Sequence, residues 1–288
     1  MKDLFTLDRK GENNGGQVLW SDDQLTYLVE EYNKNHSIPT LANQFKISPQ
    51  AIRDALRRQG VKILSLSELH KLDYPRNSSY FHVIDTPEKA YWLGMLYADG
   101  TLDGKKRITL GLKSSDEEHV QNFLNAIGAV NHKIVHATKI DGDKTFTMSV
   151  GTIRDEEMEN DLIDKGCFAN KTFTIKFPYD KMPEELYSHF IRGYFDGDGS
   201  LYYTQSGRAK RPNWRIGFTC GSYDFLIELR KLLGKDNVAI ENRGTFGSLQ
   251  IAGNKQLVGI LEYIYKDSTE TTCLKRKRQI YDKFLLQS

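Results

Sequence analysis

The sequence is poor in cysteine. It has three in 288 residues, Cys167, Cys220 and Cys273, and no Cys-x-x-Cys pair. So sparse and odd a set argues against a disulfide framework or a cysteine zinc site and fits a reducing compartment. No apolar run approaches the ~18 residues that a membrane span needs. The N-terminal MKDLFTLDRKGENNGG lacks the apolar stretch of a secretion signal. Charge of one sign is not in excess either. Lys and Arg total 40 against 38 Asp and Glu, a net +2, so binding to a polyanion has to come from local placement of charge. What is present is apolar bulk. Hydrophobic residues make up 39%, with 14 Phe and 15 Tyr, enough for a core and too much for a disordered chain. A chain of this length suggests about two domains. A soluble protein of the cytoplasm, with no membrane partner, is expected.

Residues 1–17 contain GENNGG near their end and read as a flexible lead-in. A small all-α domain is expected over 18–63. Ser21 can cap a first helix, with Asp22 and Asp23 in its first turn and Leu25, Leu28, Val29 and Tyr32 at helical spacing. A short second helix fits Thr40–Phe45. Ser48 caps a third, with Pro49 at its first position, and Gly60 stops it. Ala51, Ile52, Ala55 and Leu56 form its apolar stripe, leaving Gln50, Arg53, Arg57 and Arg58 outside. This order resembles a helix-turn-helix, in which the third helix enters the major groove and Gln and Arg read base edges or grip phosphates. A generic three-helix bundle with solvated arginines would look the same. Residues 64–85 are polar and read as a linker with one short helical piece.

From residue 86 one pattern runs twice, over 86–181 and 182–288. A helix over Pro87–Asp99 precedes a hairpin signalled by Asp103-Gly104. A capped amphipathic helix, a hairpin around Asp141-Gly142 and a further helix follow. Gly100 suits a left-handed residue after the first helix. The second copy starts with a helix over Pro183–Asp198 and repeats the order, with a longer basic loop in its first hairpin. Each copy reads αββαββα. The fold class is α+β: two pseudo-symmetric halves with antiparallel, saddle-shaped sheets, plus the small helical domain.

The repeated segments are AYWLGMLYADGT at 90–101 and HFIRGYFDGDGS at 189–200. They resemble the two motifs of single-chain LAGLIDADG homing endonucleases, as does DKGCFANKTFTIKFP; the resemblance spans 86–288. Tyr97 stands where the motif has its first acid, a position that is not the metal ligand. Physical chemistry supports the motif independently. Gly94 and Ala98 lie four apart on one helix, as do Gly193 and Gly197 on the other, and small residues let helices approach closely. Asp99 and Asp198 then leave the same end of two touching helices, where two carboxylates and two helix C-termini concentrate negative charge. A divalent cation relieves that repulsion. Few, hard oxygen ligands suit Mg²⁺, with Mn²⁺ able to substitute and Ca²⁺ to bind without cleavage. For a single copy, an Asp-Gly that ends a helix and opens a hairpin is an equal alternative. The stretch DGDGS also hints at a calcium loop, but Leu201 stands where that loop needs Gly and Gly207 where it needs Glu.

The resemblance implies a site-specific, Mg²⁺-dependent endodeoxyribonuclease that binds a long double-stranded DNA target as a monomer and cuts both strands. A setting in a bacterium or phage is an expectation of the same kind; an intein is a further possibility in the family, but with no leading Cys or Ser and no terminal His-Asn a free-standing protein is expected. Asp99 and Asp198 are the expected metal ligands and catalytic acids. A lysine in each half is expected near the scissile phosphate: Lys171 and Lys277, each four residues after a cysteine. Lys113, at a strand end, is a further candidate whose counterpart falls near Cys220. Expected DNA contacts are Gln50, Arg53, Arg57, Arg107, Arg215 and Arg243, drawn with Lys105, Lys106, Lys139, Arg208, Lys210 and Arg211 from the third helix and the sheets. Register decides which of these face DNA, because one residue of slip flips a side chain. His119, His132, His136 and His189 share no spacing and are expected to be structural or solvent-facing. A non-cleaving DNA-binding regulator and an intron RNA maturase are the alternatives on this scaffold.

Overall fold

The computed structural model describes residues 4–10, 17–141, 144–204 and 212–287. The chain forms two compact units, 1–74 and 75–288.

In the first unit, β1 (Asp8–Lys10) pairs antiparallel with β2 (Gln17–Leu19). α1 (Asp22–Asn35) starts in a capping box between Ser21 and Gln24. The Gln24 amide also donates to the carbonyls of Leu4 and Thr6, both at 3.0 Å. Phe5 stacks edge-on against Tyr27 and Phe45. Residues 4–10 are therefore packed structure and not the flexible lead-in expected; 11–16 lie outside the described residues. α2 (Ile38–Phe45) begins earlier than expected because Ser37 accepts from Thr40 N, leaving Pro39 in the first turn. α3 (Pro49–Arg58) is capped by Ser48. Leu28, Tyr32, Leu41, Phe45, Ile52 and Leu56 form the core between the three helices. α4 (Leu66–Asp73) carries a second capping box, between Ser65 and Glu68.

The expected linker 64–85 is divided. Tyr32 OH accepts from Leu64 N at 2.9 Å, and α4 completes the first unit. Residues 75–85 belong to the second, where Tyr80, Phe81 and Ile84 are buried. There Arg76 pairs with Asp155 at 2.6 Å, both side chains buried. The polar composition hid three core residues.

The second unit holds the two halves. In the first, α5 (Pro87–Asp99) leads into β3 (Gly100–Leu102) and β4 (Arg107–Lys113). A 3₁₀ turn, Ser114–Asp116, opens α6 (Glu117–Ala126). β5 (Val135–Asp141), β6 (Lys144–Arg154) and α7 (Glu156–Asp164) follow. In the second half, α8 (Tyr187–Asp198) is followed by β7 (Gly199–Thr204), β8 (Asn213–Cys220) and α9 (Tyr223–Leu232). β9 (Ile240–Asn242), β10 (Gly247–Ala252), α10 (Asn254–Tyr265) and α11 (Lys275–Gln287) complete it. The two antiparallel sheets have matching orders, β3-β4-β6-β5 and β7-β8-β10-β9.

Alternation sets the faces. Ile108, Leu110 and Leu112 of β4 point inward, as do Trp214, Ile216 and Phe218 of β8. Arg107, Thr109 and Lys113 share the other face of the first sheet, and Arg215 and Thr219 that of the second. The three cysteines are buried and unpaired. Among the described residues no helix is long and apolar enough to cross a membrane.

Candidate active site

α5 and α8 lie against each other along the small residues of the repeat. A Cβ built on Gly94 would stand 2.0 Å from the carbonyl oxygen of Phe190, and one on Gly193 would stand 2.0 Å from that of Tyr91. One on Gly197 would meet Ala98 Cβ at 2.3 Å and Asp99 Oδ2 at 2.9 Å. The helices are thus in backbone contact. The carboxylate closing the first helix lies against the last turn of the second.

Gly100 corrects the expectation of a left-handed cap, and Gly199 matches Gly100. Both are extended, at φ −77° and −85°. They are glycine for space: a Cβ at 100 would stand 2.5 Å from Leu96 O, and one at 199 would stand 2.1 Å from the Phe195 ring. Each helix therefore turns straight into a strand, holding its terminal acid at the junction.

The two carboxyls share one electrostatic problem. Asp99 is pushed up to about 6, first by burial and then by the charge of Asp198, against the pull of Lys277, Arg276 and Lys171. Asp198 is raised too, by burial, and Lys277 and Lys171 oppose it. Asp198 is exposed at the residue level, whereas Asp99 is half-buried. Since the repulsion is mutual, the pair takes up a proton more readily than either acid alone. Hard carboxylate oxygens that are costly to leave charged fit a divalent cation. Asp99 and Asp198 are the residues that would hold one.

Lys171 and Lys277 are brought to this junction in matching ways. Lys171, in the 3₁₀ turn Lys171–Phe173, donates to Gly100 O. Lys277, on α11, donates to Gly199 O at 2.6 Å, and also to Phe195 O and Gly197 O. Both side chains are buried. Each ammonium sits on the negative end of a motif helix. Burial pushes Lys277 down to about 8, although Asp196 and then the two acids favour its charge. Lys113 ends β4 exposed, and among the described residues no hydrogen bond or ion pair joins it to either acid. Its counterpart Cys220 is buried.

Of the expected DNA contacts, Gln50 and Arg57 are exposed on α3, where Asp54 accepts from Gln50 at 2.9 Å and pairs with Arg57 at 3.5 Å. Arg53 is half-buried. Arg107 pairs with Asp103 at 3.2 Å. Arg215 lies on the outward face of β8 between Tyr202 and Ala252. Arg243, in the β9–β10 turn, pairs with Glu241. Arg208, Lys210, Arg211, the Asp141-Gly142 turn and the Lys139 side chain lie outside the described residues.

Sequence reasoning missed a buried network behind the site. Asp196, the first acid of the second motif, accepts from Leu274 N at 2.7 Å and from the hydroxyls of Tyr91 at 2.9 Å and Tyr265 at 3.2 Å. Tyr91 also bonds His119 Nε2 at 2.6 Å, and burial lowers His119 to about 4, so it is a neutral structural residue. Arg192, fully buried, donates to Thr272 O and Ile264 O and bonds His189, likewise structural. Asp196 stood in the quoted motif; its partners were not adjacent in any pattern. Arg276 was passed over inside the basic run LKRKR.

Residues 185–271 match the family model described as a LAGLIDADG-like domain. No curated protein matches the chain. Among solved structures, the chain is similar to the I-LtrWI LAGLIDADG homing endonuclease bound to target DNA, at 13% identity and a TM-score of 0.46, covering 73% of this chain and 90% of that one. It is also similar to I-SmaMI bound to an uncleaved DNA target in the presence of calcium ions, at 14% identity and a TM-score of 0.44, covering 70% and 91%. The same I-SmaMI LAGLIDADG homing endonuclease bound to cleaved DNA gives 14% identity and a TM-score of 0.43, over 70% and 88%. The match to the LAGLIDADG-like model thus falls within the second half of the chain, and the helix of the first half that packs against α8 ends in the other acid.

Proposed function

We propose that the protein is a site-specific DNA endonuclease that hydrolyses phosphodiester bonds in both strands of a duplex. The observation that carries this reading is the placement of Asp99 and Asp198 at the ends of two helices in backbone contact, with both acids raised toward protonation. A binding scaffold gains nothing from such a pair. Asp99 and Asp198 would hold Mg²⁺. When bound, the cation supplies charge neutralisation to the phosphate and acidifies water at the site. Lys171 and Lys277 fix the helix ends and contribute positive potential where negative charge develops. The outward sheet faces, with Arg107, Thr109, Lys113, Arg215 and Thr219, would lie along the duplex. In the first unit, Gln50, Arg53 and Arg57 of α3 would contact DNA beside the cut site, raising affinity through the covalent link. One chain supplies both acids, so the working form is a monomer.

The test is to incubate the full chain with a randomised duplex pool and with fragmented host DNA in Mg²⁺, and to sequence the new ends. Recurrent ends at one sequence that vanish with Asp198→Asn support the reading; size-exclusion with light scattering reads the mass. Specific retention of one sequence with no new ends would sink cleavage. It would favour a DNA-binding regulator, the second reading, to which one observation lends weight: both lysines spend donors on backbone carbonyls.

A further inference from the structure

The β-to-α turn of each half packs on the lysine-bearing segment of the other, and the two contacts differ in kind. On one side Asp116, in the 3₁₀ turn after β4, accepts from Arg276 Nε at 2.9 Å. Asp116 is 7% exposed and Arg276 is 46% exposed. Among the described residues this is the only side-chain hydrogen bond Arg276 makes. On the other side Ser222 Oγ donates to Ile175 O at 2.7 Å. Gly221 runs so close to the Thr172 carbonyl that a Cβ would stand 2.5 Å away. The residue before Lys171 is Asn170, whereas the residue before Lys277 is Arg276. One junction therefore carries an extra cation and the other a neutral backbone contact.

A guanidinium has five N–H donors in a planar fork. A buried carboxylate that takes the Nε–H fixes the fork and leaves both terminal nitrogens for another acceptor. Arg276 sits in the first turn of α11, next to Lys277, whose ammonium donates to Gly199 O just past the second acid. Directed donors beside a cluster of acids and lysines are what a phosphodiester's non-bridging oxygens would meet.

Resting on the nuclease reading, we propose that Arg276, aimed by Asp116, is a phosphate-binding residue serving only one of the two cleavage centres, so that the two DNA strands are cut at unequal rates. In each cut, water adds across one P–O ester bond. Its OH goes to phosphorus and its remaining proton to the leaving oxygen. Arg276 holds the non-bridging oxygens as charge grows on them. The other centre lacks this donor and works with its lysine alone.

The experiment uses a duplex selected from a randomised pool by the full chain in Ca²⁺, cloned into a supercoiled plasmid and labelled on each strand. In Mg²⁺ the wild type should accumulate nicked circles before linear DNA, with one strand cut roughly tenfold faster. Arg276→Ala should slow the fast strand by roughly tenfold to a hundredfold and leave the other within about twofold, so that the strand preference is erased or reversed. Arg276→Lys, which keeps charge without the fork, and Asp116→Asn, which loosens the fork, should fall between. Affinity in Ca²⁺ and melting temperature of each variant separate a lost contact from a lost fold. Equal strand rates in the wild type, or equal slowing of both strands by Arg276→Ala, would overturn the proposal and leave the nuclease reading standing. A wild type that cuts neither strand would overturn both.

Discussion

Two residues before its acid, the first half has Tyr97 and the second has Asp196. Tyr97 OH donates to Lys165 O at 2.6 Å, and Asp196 accepts from Leu274 N at 2.7 Å. In each half this position pins the segment that delivers the lysine. The polarity is reversed because the segments differ. Lys171 arrives on a loop that presents a carbonyl, whereas Lys277 arrives on α11, whose leading amides need an acceptor. The repeat conserves a task between its halves, not a residue. The cost in the second half is a buried carboxyl, itself raised by burial and held by Lys277, the Leu274 amide and Tyr91.

The largest test of the symmetry is at the acids. Asp99→Asn and Asp198→Asn should each lower cleavage by about a thousandfold or more, since each takes a ligand from a shared site. Retained cutting of one strand in either variant would separate the two centres. Binding of the selected duplex, followed by mobility shift in Ca²⁺, should fall far less than cleavage does.

Next come the glycines. Gly94→Ala and Gly193→Ala push a methyl into a facing carbonyl that cannot step aside, and each should cost about 3 kcal/mol in urea unfolding. Similar losses are expected because the two sites mirror each other. Gly259 on α10 is the control: a Cβ there meets nothing within 4 Å, so Gly259→Ala should stabilise by about 1 kcal/mol. Tolerance of Ala at 193 would mean that the helices do not touch there.

The reversed pair can be split directly. Asp196→Asn removes the charge and turns an amide toward a donor in a fully buried place, so it should cost about 2–3 kcal/mol. Tyr97→Phe loses one hydrogen bond and should cost about 1 kcal/mol. Equal costs would erase the distinction between the halves.

Much of this plan was legible in the sequence. Helix α5 runs over the residues expected, because Thr86, Pro87 and the apolar run WLGML mark its start and body unambiguously. Gly94, Gly193 and Gly197 announced a close approach by spacing alone. The role of Gly100 was misjudged, because a pattern shows that glycine is required and not whether a dihedral or a neighbour requires it. Tyr80, Phe81 and Ile84 were lost among polar neighbours. Lys171 and Lys277 were found through a resemblance, but their burial on the carbonyls of Gly100 and Gly199 depends on where two distant segments meet. Arg276 and Asp116 lie far apart in sequence and match no motif, so only the fold joins them.

A modest effect separates Asp99 from its surroundings by pH. Its folded pKa, about 6, lies above the ~3.9 of an unfolded aspartate, so between those values the native state binds more protons. The stability this gives is fully present below about pH 4 and is lost as pH rises through 6. Because Asp99 keeps some contact with solvent, the loss should be about 1–2 kcal/mol, less than the full shift would give. Asp99→Asn carries no such charge. Without added metal it should therefore unfold at higher urea than the wild type at pH 7.5 and match it near pH 4. Mg²⁺ should close that gap at pH 7.5, because a cation offsets the charge that burial opposes. At pH 4.5 it should do little, since the proton already holds the site. Parallel pH profiles for wild type and variant would mean that the Asp99 carboxyl is well hydrated, and the case for a cation between the two helix ends would lose its electrostatic ground.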